Sequence, residues 1–330
     1  MLAASNGGKL CLREENPNKS GVPVGFGLQT TMGILLRLKS LEKIVNATSV
    51  KICGKRFAIY GDDDYLRGVG EEFEPNTVSM FALLSDKESC VLDVGANIGL
   101  TALAFSQICR CGQIVAFEPV PRTFQYLRQN VSESGVQNVK IFNFALGSSE
   151  GSALMQGHPS NFACSFIADN YTIPADDHFA QRVPVKRLDD IFSDLSLDRV
   201  DFMKVDVEGF ELEVFAGGRE TLNIYKPIVF LEMNHWCLNI YRRISIPEFR
   251  ERLAQIFPYI YAIDGLDYLD YVDQRNVHYI NYHHVLKFRF MNLVAGFDRE
   301  DILSRLSRLR TTQTFRPPMS AANADLACRR

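Results

Sequence analysis

The stretch that most constrains this chain is Val91-Leu92-Asp93-Val94-Gly95-Ala96-Asn97-Ile98-Gly99-Leu100. Its first residues read as a short buried strand that closes on an acid. Gly95 and Gly99 let the backbone turn sharply and approach a ligand without Cβ collisions. Residues 101–109 then carry an amphipathic helical pattern, so a helix would aim its free N–H groups and positive dipole end at the turn. Strand, glycine turn and helix in that order predict a small-molecule cofactor site at the carboxyl end of the first strand of an α/β sheet.

The turn departs from a dinucleotide fingerprint, which wants glycine at its first, third and sixth positions. The third and sixth are Asn97 and Leu100 here, and without the middle glycine the close backbone approach to a pyrophosphate is lost. Asp93 also suits a cationic group better than a phosphate. S-adenosylmethionine, with its ammonium, carboxylate and sulfonium, matches an acid beside an open turn. A second predicted strand, 113–117, ends in Glu118-Pro119, and Glu118 falls 19 residues after Gly99. Related sheets place there the acid that hydrogen-bonds ribose hydroxyls. Methyl transfer is favoured over hydride transfer.

Further runs strengthen this reading: Phe117-Glu118-Pro119, Asn143-Phe144-Ala145-Leu146-Gly147, Phe202-Met203-Lys204-Val205-Asp206-Val207-Glu208-Gly209-Phe210-Glu211, and residues 227–232. Together with Asp93-Val94-Gly95-Ala96-Asn97-Ile98-Gly99, they resemble the FkbM family of S-adenosylmethionine-dependent methyltransferases. The resemblance covers roughly residues 60–235. It implies a Rossmann-like seven-stranded α/β sheet with helices on both faces, and O-methylation of a hydroxyl on a sugar or other natural product. It also implies that the segment Phe73-Glu74-Pro75-Asn76 covers the site, and that Asn143, Ala145 and Leu146 lie where adenine is contacted.

Composition fits that class. The chain has 330 residues, 46% hydrophobic and 23% charged, as in an ordinary globular protein. A net charge of −3 gives no support for a nucleic-acid surface, and no stretch approaches a membrane span. The N-terminal residues lack the basic start and apolar core of a secretory signal, so a cytoplasmic protein is expected. Eight cysteines are scattered without a Cys-x-x-Cys pair, which fits small apolar side chains in a reducing compartment.

The pattern divides the chain into an N-terminal extension and cap over 1–75, a methyltransferase domain over 76–295, and a C-terminal helix and tail over 296–330. Helical spacing is predicted over 30–45 and 122–134, and a strand over 139–142. Residues 152–156 are expected to pair back across a turn at 147–151, and 157–181 to form an irregular insertion over the site. The fourth core strand is placed at 200–207 and the fifth at 227–233. The last strands are placed at 259–263 and 278–290, and 311–330 is read as a disordered tail.

The candidate cofactor residues are Asp93, Gly95, Ala96, Asn97, Gly99, Glu118, Asn143, Ala145, Leu146 and Asp206. Deprotonating an alcohol acceptor needs a positioned base. Asp206 comes first, able to hold the cofactor's ammonium or take that proton; Glu208 and His235 follow. The plainer reading is that Lys204, Asp206 and Glu208 form an ion-pair set at a strand end, and that His235 is structural. Asp206, Glu208 and Glu232 offer hard oxygen ligands that suit Mg²⁺, but their spacing does not demand it, and no metal ligands are assigned. Expected partners are a small-molecule or saccharide acceptor and, with room left for it, a second copy in a homo-oligomer. Two rivals stand beside this reading: a nucleotide- or NAD-binding Rossmann enzyme, and a non-catalytic methyltransferase-like partner subunit.

Overall fold

The computed structural model describes residues 47–312, apart from 63, 170 and 174–177. The predicted helix over 30–45 and the tail beyond 312 lie outside the described residues. A hairpin comes first, β1 (Thr48–Ile52) and β2 (Lys55–Ile59), then the helices α1 (Asp64–Gly68) and α2 (Pro75–Leu84). Strand and helix then alternate through β3 (Val91–Val94), α3 (Leu100–Ile108), β4 (Ile114–Phe117), α4 (Pro121–Ser134) and β5 (Val139–Phe142). Four strands of a separate sheet interrupt: β6 (Ala145–Leu146), β7 (Gly151–His158), β8 (Asn161–Ile167) and β9 (Phe179–Lys186). Alternation resumes with α5 (Leu188–Ile191), β10 (Phe202–Val205), α6 (Glu211–Gly217), α7 (Arg219–Tyr225) and β11 (Ile228–Glu232). The chain ends through α8 (His235–Cys237), α9 (Ile246–Ala254), β12 (Tyr259–Asp264), β13 (Asp267–Asp270), α10 (Gln274–Lys287), β14 (Asn292–Gly296) and α11 (Arg299–Leu306).

The main sheet has eight strands in the order β13-β12-β14-β11-β10-β3-β4-β5. The five from β11 to β5 are parallel, and β14 is inserted antiparallel between β11 and β12. Seven of them make the expected α/β sheet, and β13 is an added edge strand. Every residue of β3, β4 and β10 is buried, as strands with helices on both faces require. The period of two sorts their side chains cleanly. Leu92, Val94, Val115, Met203 and Val205 enter one apolar cluster; Val91, Ile114, Ala116 and Phe202 enter the cluster on the other face.

Two expectations are corrected. Residues 278–290 are not a strand: α10 occupies most of that stretch, capped by Asp273, which accepts from the Arg275 amide at 2.9 Å. Val277, Ile280 and His284 recur at helical rather than alternating spacing, and Ile280 and His284 are the buried ones. The closing strand is β14, further on. Residues 157–181 are also more ordered than expected, because β7 and β8 form a hairpin and β9 begins at Phe179. β7 pairs with β8 and β9, while β6 runs parallel to β9, so 152–156 do not pair back on 145–146. Among the described residues no helix is long and apolar enough to cross a membrane.

Candidate active site

The β3–α3 turn is built by contact with its own chain. Gly95 sits at φ +81°, and a Cβ there would lie 1.9 Å from the Asp206 carbonyl oxygen at the end of β10. Gly99 sits at φ +96°, and a Cβ there would lie 2.6 Å from a Leu127 methyl on α4. Both glycines therefore serve close packing of backbone against neighbouring elements. Gly95 and Ala96 donate from their amides to the Phe117 carbonyl, at 3.0 and 2.9 Å.

Asp93 is fully buried beneath the turn. Its Oδ2 accepts from Thr101 Oγ1 at 2.6 Å, and Lys204 Nζ lies 3.6 Å from its Oδ1. Asp93 and Lys204 are register partners on β3 and β10, which is why their charges meet. Lys204 Nζ also donates to the Gly95 carbonyl at 2.8 Å and lies 3.5 Å from Asp206. The predicted pairing of Lys204 with an acid thus holds for two acids at once.

Glu118, at the end of β4, is buried. Its Oε2 accepts from the Asn97 amide at 3.0 Å and its Oε1 from the Val120 amide at 2.8 Å. Burial pushes its carboxyl up to about 7, although both amides favour the charged form. Each oxygen still has a lone pair to offer. The Asn143 side-chain amide is spent on the carbonyls of Glu118 and Pro119, at 2.8 and 3.0 Å, so Asn143 pins this loop.

A cleft opens where these strand ends meet. Of the predicted residues, Gly95, Asn97, Glu118, Ala145, Leu146, Asp206 and Glu208 line it; Asp93, Ala96, Gly99, Asn143 and His235 do not. Apolar walls come from Phe144, Met155, Phe162 and Ile167, and sequence reasoning named none of these as site residues. Three belong to the β7–β8 hairpin, which the sequence placed over the site without assigning it side chains. Asn97 Oδ1 is buried and has no hydrogen-bond partner among the described residues.

Beyond the cleft's polar edge, ligand oxygens of Asp206, Glu208 and Glu232 all lie within 4.8 Å of one another. Glu208 takes a left-handed conformation, φ 54°, and its Oε2 accepts from Cys237 Sγ at 2.8 Å. Glu211 ties the same turn, its Oε1 accepting from the amides of Val207 and Gly209 at 3.3 and 3.2 Å. Burial first, then the neighbouring Asp206 charge, raises Glu208 to about 8 and Glu232 to about 10. Glu232 Oε2 is buried without a hydrogen-bond partner among the described residues. The three oxygens can share protons among themselves or hold a hard cation such as Mg²⁺.

These shifts carry a sign. A carboxyl raised above its unfolded value favours the fold while protonated, and that contribution is lost as pH rises through the folded value. Glu118 and Glu211 near 7, Glu208 near 8 and Glu232 near 10 all act in the same direction above pH 6.5. Thermal stability is therefore expected to fall from pH 6.5 to pH 9. Glu232→Gln should raise the melting temperature at pH 9, by on the order of 1 kcal/mol of relieved cost, and by less at pH 6.5. Calorimetric melting of both proteins at the two pH values checks this; an unchanged profile in the variant would contradict it.

His235 stands apart from the cleft. Its Nδ1 lies 3.2 Å from Nε2 of the buried His284, and its ring is flanked by Trp236 and Phe288.

Comparison with known proteins bears on this arrangement. Residues 93–256 match the methyltransferase FkbM domain. The 2-O-methyltransferase NoeI of Sinorhizobium fredii is 30% identical over 154 residues, covering 43% of this chain and 62% of that protein. The hexuronic acid methyltransferase AglP of Haloferax volcanii is 27% identical over 165 residues, covering 49% of this chain and 63% of that protein. The chain thus spans about three fifths of the length of these relatives. A crystal structure of methyltransferase FkbM from Methylobacillus flagellatus aligns with a TM-score of 0.37 at 18% identity, covering 53% of this chain and 40% of that one.

Proposed function

Because residues 93–256 match the methyltransferase FkbM domain, we propose that this chain is an S-adenosylmethionine-dependent O-methyltransferase whose acceptor is a saccharide hydroxyl. The observation that carries the reading is the cleft itself: a buried carboxylate, Glu118, at the end of the second parallel strand, an apolar slot beside it, and acids at the far edge. The residues fit the cofactor. Asn97 Oδ1 is a buried acceptor in want of a donor, and the slot between Phe144, Leu146 and Met155 suits a flat purine. Glu118 would hold the ribose hydroxyls and half-exposed Asp206 the ammonium. Bound there, the cofactor supplies a methyl group already activated on a sulfonium.

The chain's own task is to align the acceptor oxygen, exclude water and take one proton. Glu208 suits the last role. Its Oε2 is committed to Cys237, which leaves Oε1 for the acceptor. A base near pH 8 has a legible signature: the rate should rise with pH through about 8. Glu208→Gln should lose that rise and about 100-fold in kcat. The similarity to NoeI, a 2-O-methyltransferase, and AglP, a hexuronic acid methyltransferase, supports the saccharide class.

The test is incubation with methyl-labelled S-adenosylmethionine and a panel of methyl glycosides, including a uronic acid and a 6-deoxyhexose. Label recovered as a methyl ether on one glycoside supports the reading. Label on nitrogen or carbon acceptors alone would overturn the O-methyl assignment.

A further inference from the structure

The histidine pair behind Trp236 has a tautomer that the hydrogen bonds dictate. The helix α10 ends with Phe288 at φ 51°, and the Arg289 amide returns to the His283 carbonyl at 3.2 Å. That reversal brings the Arg289 carbonyl to 3.2 Å from His284 Nδ1. A carbonyl only accepts, so His284 Nδ1 carries a proton. His284 is fully buried and burial lowers it to about 4, so near neutral pH its Nε2 is a bare acceptor. The partner facing that nitrogen at 3.2 Å, His235 Nδ1, must then be the donor. One proton remains on His235, and it is on Nδ1. No hydrogen bond is made to its Nε2 among the described residues, and the residue keeps 7% of its surface exposed.

The surface beside the His235 ring is aromatic. Trp236 is 57% exposed and Phe288 59% exposed, and their ring centroids lie 6.1 and 5.5 Å from that of His235. Asn234 caps α8, accepting from the amides of Trp236 and Cys237, and Cys237 reaches Glu208. The patch is thereby tied to the acid corner at the same end of the sheet.

We propose that His284 is a positioning residue that holds His235 protonated on Nδ1, so that its bare Nε2, between the exposed rings of Trp236 and Phe288, accepts a hydroxyl of the saccharide to be methylated. A pyranose offers what this patch takes: apolar C–H faces for the two rings and hydroxyl donors at the rim for the imidazole. An acyl chain would leave the imidazole without a donor. The assignment of the occupant rests on the methyltransferase reading; the tautomer does not.

Long-range ¹H–¹⁵N NMR of the histidine-labelled full chain reads the tautomer directly. His235 is expected with its proton on Nδ1, and His284→Leu should move it to Nε2. Trp236 is the chain's single tryptophan, so its emission reports on the patch without labelling. Methyl glucuronoside or methyl fucoside should change that emission saturably, with about 10-fold weaker binding in His235→Ala. A wild-type His235 protonated on Nε2, or emission that answers to neither glycoside, would overturn the proposal. Calorimetry with S-adenosylhomocysteine on the same sample separates the two readings: no binding there refutes the methyltransferase, while binding with the wrong tautomer refutes only this inference.

Discussion

Glu118→Ala is expected to bind S-adenosylhomocysteine at least about 100-fold more weakly than the natural protein, a loss of about 3 kcal/mol. Two effects add. The carboxylate that would hold the ribose hydroxyls is removed, each such bond to a charged group being worth about 1.5–3 kcal/mol. The amides of Asn97 and Val120, now held by its two oxygens, are left without their acceptor, so the turn loosens as well. Equilibrium dialysis reads the affinity, and circular dichroism shows whether the fold persists. Affinity within threefold of the natural protein in a folded variant would place the cofactor elsewhere.

Gly95→Ala carries the largest expected effect on stability. Its positive φ costs about 1 kcal/mol for any side chain. The decisive term is contact: the new Cβ would stand 1.9 Å from the Asp206 carbonyl oxygen, a backbone atom that cannot swing aside. Asp206 is itself held by its amide to the Val94 carbonyl at 3.1 Å, so β3 and β10 would have to part. A loss above about 4 kcal/mol is expected, enough to unfold many domains. Gly135 is the control, since it has φ +73° but nothing within 4 Å of its Cβ position. Gly135→Ala should cost only about 1 kcal/mol. Urea unfolding of both variants checks the contrast, and equal losses would show that φ alone matters.

The core of the fold was legible because its signal is local. Val91-Leu92-Asp93-Val94, apolar but for its acid, and the continuous apolar run Ile114–Phe117 have the length a buried parallel strand needs, and each is followed by a helical pattern. The spacing of Glu118 from the glycine turn sets it at the end of β4, where it lines the cleft. The charges at Lys204, Asp206 and Glu208 were visible by their period of two, although Lys204 alone lies on β10 and only register with β3 shows that it bridges two acids.

What was missed depends on contacts distant in sequence. The tyrosines and valines of α10 favour strand by propensity, and Asp273 as a cap together with burial of Ile280 and His284 decides for helix. Pro159 and Asn161 read as irregular chain, yet the flanking segments pair as β7 and β8 and wall the cleft with Met155 and Phe162. Gly95 was read as making room for a ligand, whereas the room is filled by the end of β10. The Cys237–Glu208 contact has no sequence signature, because it requires α8 to be set down on the Glu208 turn.

The central claim is that this cleft takes S-adenosylmethionine. Calorimetric titration of the purified full chain with S-adenosylhomocysteine, with NAD⁺ run alongside, tests it most directly. Saturable one-to-one binding of S-adenosylhomocysteine and none of NAD⁺ is expected. Binding of NAD⁺ alone would contradict it and return the Gly95–Gly99 turn to dinucleotide chemistry.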